Sequence, residues 1–488
     1  MLLDHAGCYR ALRARDSRFD GRFFVGVAST GIYCRPVCGV RLPRRENCSF
    51  FPSAAAAEAG GYRPCLRCRP ELAPGFAVID APAAIARRAA SLIDDGFLNE
   101  AGLEQLARRV GVTDRHLRRV FGDHFGVSPV QYAQTQRLLL AKRLLTDTAL
   151  PVTEVAMASG FSSLRRFNAL FGERYRLAPT RLREGARRGV AGASGDEEPV
   201  MRFELAYRPP LAWDALLDFL RARTISGVEA VDARGYRRVV SLRVGDATAA
   251  GWIEVRHRSA RRTLEVRVAS GLQRAVPQVL ARVKRLFDVD GRPDEVARVL
   301  GPLASATPGL RVPGAFDGFE LGVRAILGQQ VSVRAAHTVA QRVARRFGAE
   351  AATGVPGLGI AFPSPSVIAA ASVDELAALG IVAQRATAIR ALATALCDGR
   401  ISLEPGGDVE RELEALRALP GIGDWTAQYI GMRALGWPDA FPAGDLVVMR
   451  ALGAKTPAQA RAAAQAWRPW RAYAVMHLWR GQAVTGAG

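Results

Sequence analysis

Apolar residues recur at helical spacing through residues 84–182, and the pattern occurs twice. Leu106, Ala107 and Gly111 return as Val155, Ala156 and Gly160, while Leu117, Phe121, Phe125 and Pro129 return as Phe167, Phe171, Tyr175 and Pro179. A repeat of roughly 50 residues with this content predicts two copies of a helix, a short turn carrying the glycine, and a second helix with one apolar face. The stretch from Pro129 to Thr146 predicts a helix joining them. The second helix of each copy carries Arg115, Arg118 and Arg119, or Arg165 and Arg166. A reader of the major groove needs donors at those places, although the same arginines could simply solvate a helix face. Two tandem copies favour DNA binding.

The pattern changes after a stretch from about Glu184 to Pro199 that is rich in Gly, Ala and charge and has little to bury. Phe203, Leu205 and Tyr207 alternate, as do positions near Val239–Val244, Ile253–Val255 and Leu264–Val268. This predicts a small antiparallel sheet, with helices around Trp213–Arg221 and Val276–Phe287. From about Pro302 the chain predicts almost uninterrupted helix, with Pro/Gly-rich breaks near 353–365 and 404–408. A softer boundary lies near Pro74 to Pro82. The expected segments are therefore 1–78, 84–182, a linker at 183–200, 201–287 and 288–488.

Charge sharpens this picture. Of 488 residues, 67 are basic and 46 acidic, a net +21, and lysine occurs only at Lys142, Lys284 and Lys455. Residues 1–190 hold 30 basic and 17 acidic residues against 37 and 29 in 191–488, so the N-terminal part is the more basic per residue. Arginine suits bidentate phosphate contact, and a polyanion partner bound in a salt-dependent way is expected. No apolar run reaches signal or membrane-spanning length, so no membrane partner is expected. Seven cysteines, four of them in a metal pattern, suit a reducing cytosol better than a disulfide framework. Cys8, Cys48 and Cys397 are expected to be small core residues.

The four are Cys34, Cys38, Cys65 and Cys68, spaced C-x3-C, 26 residues, C-x2-C. Four thiolates make a closed tetrahedral zinc site, usually a structural one. With two negative charges in excess of the metal, one sulfur can still be nucleophilic. The surrounding residues, Gly31-Ile32-Tyr33-Cys34-Arg35-Pro36-Val37-Cys38, Arg44-Arg45-Glu46-Asn47 and Tyr62-Arg63-Pro64-Cys65-Leu66-Arg67-Cys68-Arg69-Pro70, closely resemble the N-terminal domain of Ada-type adaptive-response proteins. The resemblance covers about the first 75 residues. It implies one zinc ion held by the four cysteines, with Cys34 as the acceptor of a methyl group from a DNA phosphotriester. It also implies that methylation, by removing one negative charge, strengthens DNA binding at damage-response promoters. The repeat at 84–182 is similar to the paired helix-turn-helix domain of AraC-type regulators. The second methyl-acceptor domain of full Ada proteins, with its P-C-H-R motif, is missing.

A second site follows. Leu419-Pro420-Gly421-Ile422-Gly423 has the form of a helix-hairpin-helix, whose glycines let backbone amides approach a phosphate. Asp445 lies about 20 residues later, at the start of an apolar helix, where it could act only as a helix cap. Together with Ala325-Ile326-Leu327-Gly328-Gln329-Gln330-Val331-Ser332 and Trp467-Arg468-Pro469-Trp470-Arg471-Ala472-Tyr473-Ala474, these elements resemble 3-methyladenine DNA glycosylase II of the AlkA type, from about Arg202 to Ala483. The resemblance implies Asp445 as catalytic carboxylate and Trp425, Tyr429 and Trp479 as pocket aromatics, each of which could otherwise be core packing. It places Gly421 and Gly423 against DNA and puts Gln330 where the family carries an apolar wedge. Relatives that also cut the strand carry a Schiff-base lysine just after the hairpin, where this chain has Asp424 and Trp425, and no C-terminal four-cysteine cluster exists for an iron–sulfur centre.

The expected fold class is thus multidomain and mostly α: a small zinc-bound α+β domain, an all-α double helix-turn-helix domain, then an α+β glycosylase with a small antiparallel sheet subdomain and a helix-hairpin-helix all-α core. The expected function is a monofunctional glycosylase releasing alkylated purines such as 3-methyladenine, fused to a methyl-phosphotriester-accepting, DNA-binding transcriptional activator. A rival reading makes the N-terminal half only a delivery module, and another makes the whole chain a non-catalytic regulator. Expected partners are double-stranded DNA (alkylated bases, methyl phosphotriesters, promoter sites) and RNA polymerase, and the expected location is the bacterial cytoplasm at the nucleoid.

Overall fold

The structure is a computed structural model that describes residues 4–74, 81–148, 150–187, 200–245, 247–405 and 408–485. Most of the expected linker, at 188–199, and most of the softer boundary, at 75–80, lie outside the described residues.

The N-terminal helix His5–Arg13 begins where Asp4 Oδ1 accepts from Gly7 N at 2.8 Å, and it buries Cys8 and Leu12 against Phe23 and Val25. Strands β1 (Phe24–Val27), β2 (Ile32–Cys34), β3 (Cys48–Phe51) and β4 (Arg63–Pro64) form a sheet in the order β3-β1-β2-β4. β1 runs antiparallel to both β2 and β3, and β2 pairs parallel with β4, Ile32 opposite Arg63 and Tyr33 opposite Pro64. That parallel register sets Cys34, the last residue of β2, beside Cys65, which follows β4 and donates from its backbone N to the Tyr33 carbonyl at 3.0 Å. The two halves of the cysteine pattern meet because of it.

The repeat is present as two helix pairs, Leu103–Arg109 with Asp114–Phe125 and Val152–Ala158 with Leu164–Tyr175, joined by the helix Pro129–Asp147. Equivalent positions do equivalent work. Leu106 and Val155, Leu117 and Phe167, and Phe121 and Phe171 are all wholly buried, while Gly111 and Gly160 take φ of +80° and +85° in the turns. Thr113 and Ser163 cap the second helices through their hydroxyls.

This pair of helix-turn-helix units is fastened to the cysteine domain through the long helix. Lys142 Nζ lies 2.7 Å from Glu71 and also donates to the carbonyl of Cys65, and Arg69 pairs with Asp147 at 2.7 Å. Glu58 is buried between Tyr33, whose hydroxyl donates to it at 3.1 Å, and Thr135, which donates at 3.0 Å. Burial pushes the Glu58 carboxyl up to about 7, with the two hydroxyl donors opposing. Because the folded value lies above the unfolded one, the folded state binds this proton more tightly. The associated stability is complete below the ordinary carboxylate range and is lost as pH rises through about 7. Glu58→Gln is therefore expected to gain about 2 kcal/mol relative to wild type between pH 5 and pH 8, measured by urea unfolding. A pH-independent difference would contradict the assignment.

Strands β5 (Val200–Ala206), β6 (Glu229–Asp232), β7 (Gly235–Val244), β8 (Ala247–Arg258) and β9 (Thr263–Ala269) take the order β5-β9-β8-β7-β6. β5 and β9 pair antiparallel from Val200 opposite Ala269 to Ala206 opposite Thr263, and Met201, Phe203 and Leu205 point inward, as the alternation predicts. Helices occupy Trp213–Arg221 and Val276–Leu286. Beyond Pro302 the chain is helical, apart from a small ladder of Ala349–Glu350 with Ile360–Ala361 in the first Pro/Gly-rich break. Its helices Gly318–Leu327, Ala383–Cys397, Val409–Arg417 and Asp424–Arg433 share one core, with Ile326, Ile389, Leu392, Leu416 and Ile430 fully buried. The chain gathers into two compact units, Met1–Pro209 with Leu242–Ala249 and His257–Ala281, and Pro210–Ser241 with Ala250–Arg256 and Arg282–Gly488.

One expectation fails. Cys8 and Cys48 are core residues, but Cys397 is exposed, because it is the last residue of its helix, where the chain emerges through the exposed Asp398, Gly399 and Arg400. No described helix is long and apolar enough to cross a membrane.

Candidate active site and metal centre

The sulfurs of Cys34, Cys38, Cys65 and Cys68 all lie within 4.8 Å of one another. Tetrahedral zinc with ordinary Zn–S bonds sets sulfurs roughly 3.8 Å apart, so one ion fits with only slight contraction. The backbone supports the cluster: Arg35 N points at the Cys68 sulfur at 3.4 Å and Cys68 N at the Cys65 sulfur at 3.5 Å. Arg35, next to Cys34, is buried. Its guanidinium holds Asp20 through Nε at 2.8 Å and through Nη2, and donates to the Cys68 carbonyl at 3.2 Å. Asp20 is fixed in turn, its carbonyl accepting from Arg208 at 2.9 Å.

The four sulfurs are not equivalent. A crevice of about 170 Å³ is lined by Cys34 and Cys38 but by neither Cys65 nor Cys68, and its rim carries the exposed Arg13 and Arg15.

In the helix-turn-helix pairs, all five singled-out arginines are exposed. Arg118 is partly engaged by Asp114 at 3.1 Å and Arg119 by Asp123 at 3.6 Å, whereas no ion pair involves Arg115, Arg165 or Arg166 among the described residues.

The second site is a cleft of about 1450 Å³ in the unit that holds the hairpin, and it brings together Asp445, Trp425, Tyr429, Trp479, Gln330 and Gly421. Gly423 lines it as well. Asp445 is a helix cap and more. Its Oδ1 accepts from the backbone of Val447 and Val448, both at 3.0 Å, and from the Trp479 indole at 3.1 Å, while Oδ2 accepts from the Trp425 indole at 2.9 Å. Four N–H donors hold the carboxylate, and among the described residues no Lys or Arg pairs with it. Its charge is oriented but not neutralised.

Trp425 and Tyr429 are one turn apart on the helix Asp424–Arg433, so their rings stack, with centroids 5.2 Å apart and planes at 11°. Tyr429 also meets Trp479 at 6.2 Å. The hairpin turn needs glycine at Gly421, with φ +76° and a Cβ position only 2.9 Å from Ala388 Cβ. Gly423, as N-cap of the helix, has φ −86° and uses no left-handed freedom. Asp424, where lyases carry lysine nearby, is paired with Arg417 and Arg461.

Several residues were missed in the sequence. Phe219, on the helix Trp213–Arg221, stacks on Trp479 at 6.4 Å and 14°. Buried Arg433 donates to the Tyr429 hydroxyl at 2.7 Å and to the carbonyls of Pro313 and Gly314. Arg223 lies 3.7 Å over the Phe219 ring. Burial works to raise the Tyr429 phenol, but the guanidiniums of Arg433 and Arg223 outweigh it and hold the phenol below its ordinary value. Phe219 gave no signal beyond an amphipathic helix. Arg433, a charge inside the otherwise apolar run Tyr429–Leu435, did offer one.

Four family models match in succession: "Metal binding domain of Ada" at residues 7–71, "Helix-turn-helix domain" at 106–185, "AlkA N-terminal domain" at 202–317 and "HhH-GPD superfamily base excision DNA repair protein" at 323–470. The chain is 38% identical to the probable bifunctional transcriptional activator/DNA repair enzyme AlkA of Mycobacterium tuberculosis (strain ATCC 25618 / H37Rv), over 98% of this chain and 96% of that one. It is 41% identical to DNA-3-methyladenine glycosylase 2 of Escherichia coli (strain K12), over 57% of this chain and 96% of the relative. It is 31% identical to the bifunctional transcriptional activator/DNA repair enzyme AdaA of Bacillus subtilis (strain 168), over 36% of this chain and 81% of the relative. With a full-length relative at that identity and a zinc-fitting cysteine cluster, tandem helix-turn-helix units and a hairpin-flanked carboxylate in chain order, the protein belongs to the family of bifunctional transcriptional activator/DNA repair enzymes that join an Ada-type regulator to an AlkA-type glycosylase.

Proposed function

We propose that the cleft releases alkylated purines such as 3-methyladenine from duplex DNA, with Asp445 as the catalytic carboxylate. The observation that carries this reading is a carboxylate held by four N–H donors, with no pairing cation, beside stacked aromatic rings. An N-alkylated purine is already cationic. When the C1′–N9 bond breaks, the electron pair stays on N9 and the base leaves neutral, while positive charge develops on the sugar. Asp445 stabilises that charge and accepts a proton from the water that attacks C1′. The faces of Trp425, Tyr429 and Trp479 receive the electron-poor base, which must leave the helix stack to reach them. Gly421 and Gly423 present backbone to phosphate beside the cleft. With no lysine after the hairpin, the product is an abasic site. The test is release of free N3-methyladenine from alkylated duplex DNA by the purified chain, and no release contradicts the proposal.

The indole N–H groups give a finer prediction. Trp425→Phe keeps a ring for stacking but deletes a hydrogen bond to a charged group, and single-turnover base release is expected to slow about 10- to 100-fold. Unchanged release would mean the 2.9 Å contact to Asp445 is only structural.

In the N-terminal unit, Cys34 is proposed as the methyl acceptor. Bound zinc supplies deprotonation of the four sulfurs. The Cys34 sulfur attacks the methyl carbon of the phosphotriester, the C–O bond breaks, and its electron pair remains on phosphate as an ordinary diester anion. The S-methyl group stays on the protein, so each chain acts once. Losing one negative charge near DNA strengthens binding through Arg115, Arg118, Arg119, Arg165 and Arg166 at damage-response promoters and activates transcription through RNA polymerase. Equal promoter affinity of methylated and unmethylated chains at matched salt would contradict that switch. This work belongs in the bacterial cytoplasm, at the nucleoid.

A further inference from the structure

Strand β5 lies at the edge of its five-stranded sheet, and the backbone groups of an edge need a cover. The cover comes from residues before 188. Buried Arg143, on the helix Pro129–Asp147, sets its guanidinium 4.9 Å over the Phe203 ring and donates to the Glu204 carbonyl. Just past the strand, Arg208 is wholly buried and donates to the Asp20 carbonyl, from Nε at 3.1 Å and from Nη2 at 2.9 Å, and to the Pro74 carbonyl at 3.4 Å. Gly21 permits that approach. It takes φ +73°, and a Cβ on it would stand 1.9 Å from the Pro74 oxygen and 3.4 Å from Arg208 Nη2. The contact reaches the cysteine cluster, because the Asp20 carboxylate holds Arg35 beside Cys34. Elsewhere the helix Val152–Ala158 packs on the turn Ser270–Ala275 after β9, and Glu100 accepts from Gly245 N at 3.2 Å.

These contacts decide where the chain divides. The match to the AlkA N-terminal domain starts at residue 202, yet 202–209, 242–249 and 257–281 gather with the N-terminal residues and not with the rest of that domain. A guanidinium is buried at a cost that hydrogen bonds must offset, and Arg143 and Arg208 each meet backbone carbonyls across this junction. We propose that the edge of the sheet is a docking surface for the zinc and helix-turn-helix domains, closed by Arg143 and Arg208, and that it holds them without help from the covalent link at 188–199. The N-terminal half is then a fixed partner of strands β5 and β9 rather than a loosely tethered carrier.

The experiment uses the full chain with a protease recognition sequence placed within 188–199 and cut to completion. Size-exclusion chromatography compares it with the same chain carrying Arg143→Met and Arg208→Met, which keep most of the side-chain bulk and remove the guanidinium. The cut wild type is expected to elute as a single species holding both fragments in equal amounts, at low and at high salt alike, since backbone carbonyls accept these hydrogen bonds. In the double variant the dissociation constant of the two fragments, read from a dilution series, should rise at least about 100-fold, while each separated fragment keeps its wild-type circular dichroism. Separation of the wild-type fragments overturns the dock, whatever the variant does. Tight co-elution of the variant fragments overturns the role given to the two arginines, and so does loss of their circular dichroism, which would make the arginines general supports of folding. Neither readout depends on base release or methyl transfer.

Discussion

Asp445→Asn is expected to lower single-turnover release of N3-methyladenine by at least about 10³-fold while leaving the fold intact. The asparagine carbonyl can still accept from Val447 and Val448, so the helix Leu446–Ala451 keeps its cap and the stability change should stay near 1 kcal/mol or below. What disappears is the full negative charge opposite the sugar cation. The side-chain amide would moreover set an N–H against the Trp425 indole N–H, where a 2.9 Å hydrogen bond now lies. Rate and unfolding midpoint together separate the two roles of this residue. A variant with wild-type base release would make Asp445 a helix cap alone.

The second large effect concerns Cys34. Incubation with DNA carrying methyl phosphotriesters is expected to leave one methyl group on the peptide containing Cys34, and Cys34→Ala should abolish transfer. Because the substitution also removes a metal ligand, zinc affinity and the stability of the N-terminal unit should fall in the same variant. Cys38→Ala supplies the contrast, since Cys38 shares both the crevice and the sulfur cluster with Cys34. Peptide mass mapping of the wild type decides between them without any variant. A methyl group found on Cys38, Cys65 or Cys68 would overturn the choice.

Much of the architecture was legible because it follows from local periodicity. The twofold recurrence from Leu106 to Tyr175 predicts which faces are buried, since equivalent residues must fill equivalent helix-turn-helix cores, and the structure buries them in pairs. The alternation at Phe203 and Leu205 survives as inward positions of β5 for the same reason. The cysteine spacing announced a cluster, but not what assembles it. The parallel pairing of β2 with the two-residue strand β4 is non-local and too short to leave a periodic trace. Strand β6 and the ladder at Ala349–Glu350 pair with strands close by in sequence, but both are too short to leave an alternation.

The cleft was half legible. The association of Trp425 and Tyr429 with Asp445 was implied by the resemblance to AlkA-type glycosylases, since each ring alone reads as core packing. Phe219 joins from more than 200 residues upstream as one more apolar residue of an amphipathic helix, and only tertiary packing shows that it backs Trp479. Arg433 stood out as a lone charge in an apolar run, but its three acceptors could not be read from the sequence. Cys397 went the other way: a small apolar residue ending a helix is exposed where the chain turns out of the core.

The most direct measurement incubates wild type, Asp445→Asn and Cys34→Ala with DNA radiolabelled by a methylating agent, and counts free methylated base and protein-bound methyl in each. The account predicts that Asp445→Asn accepts methyl groups without releasing base, and that Cys34→Ala releases base without accepting methyl groups. Loss of both activities in either variant, or of neither in both, would contradict two separate chemistries on one chain.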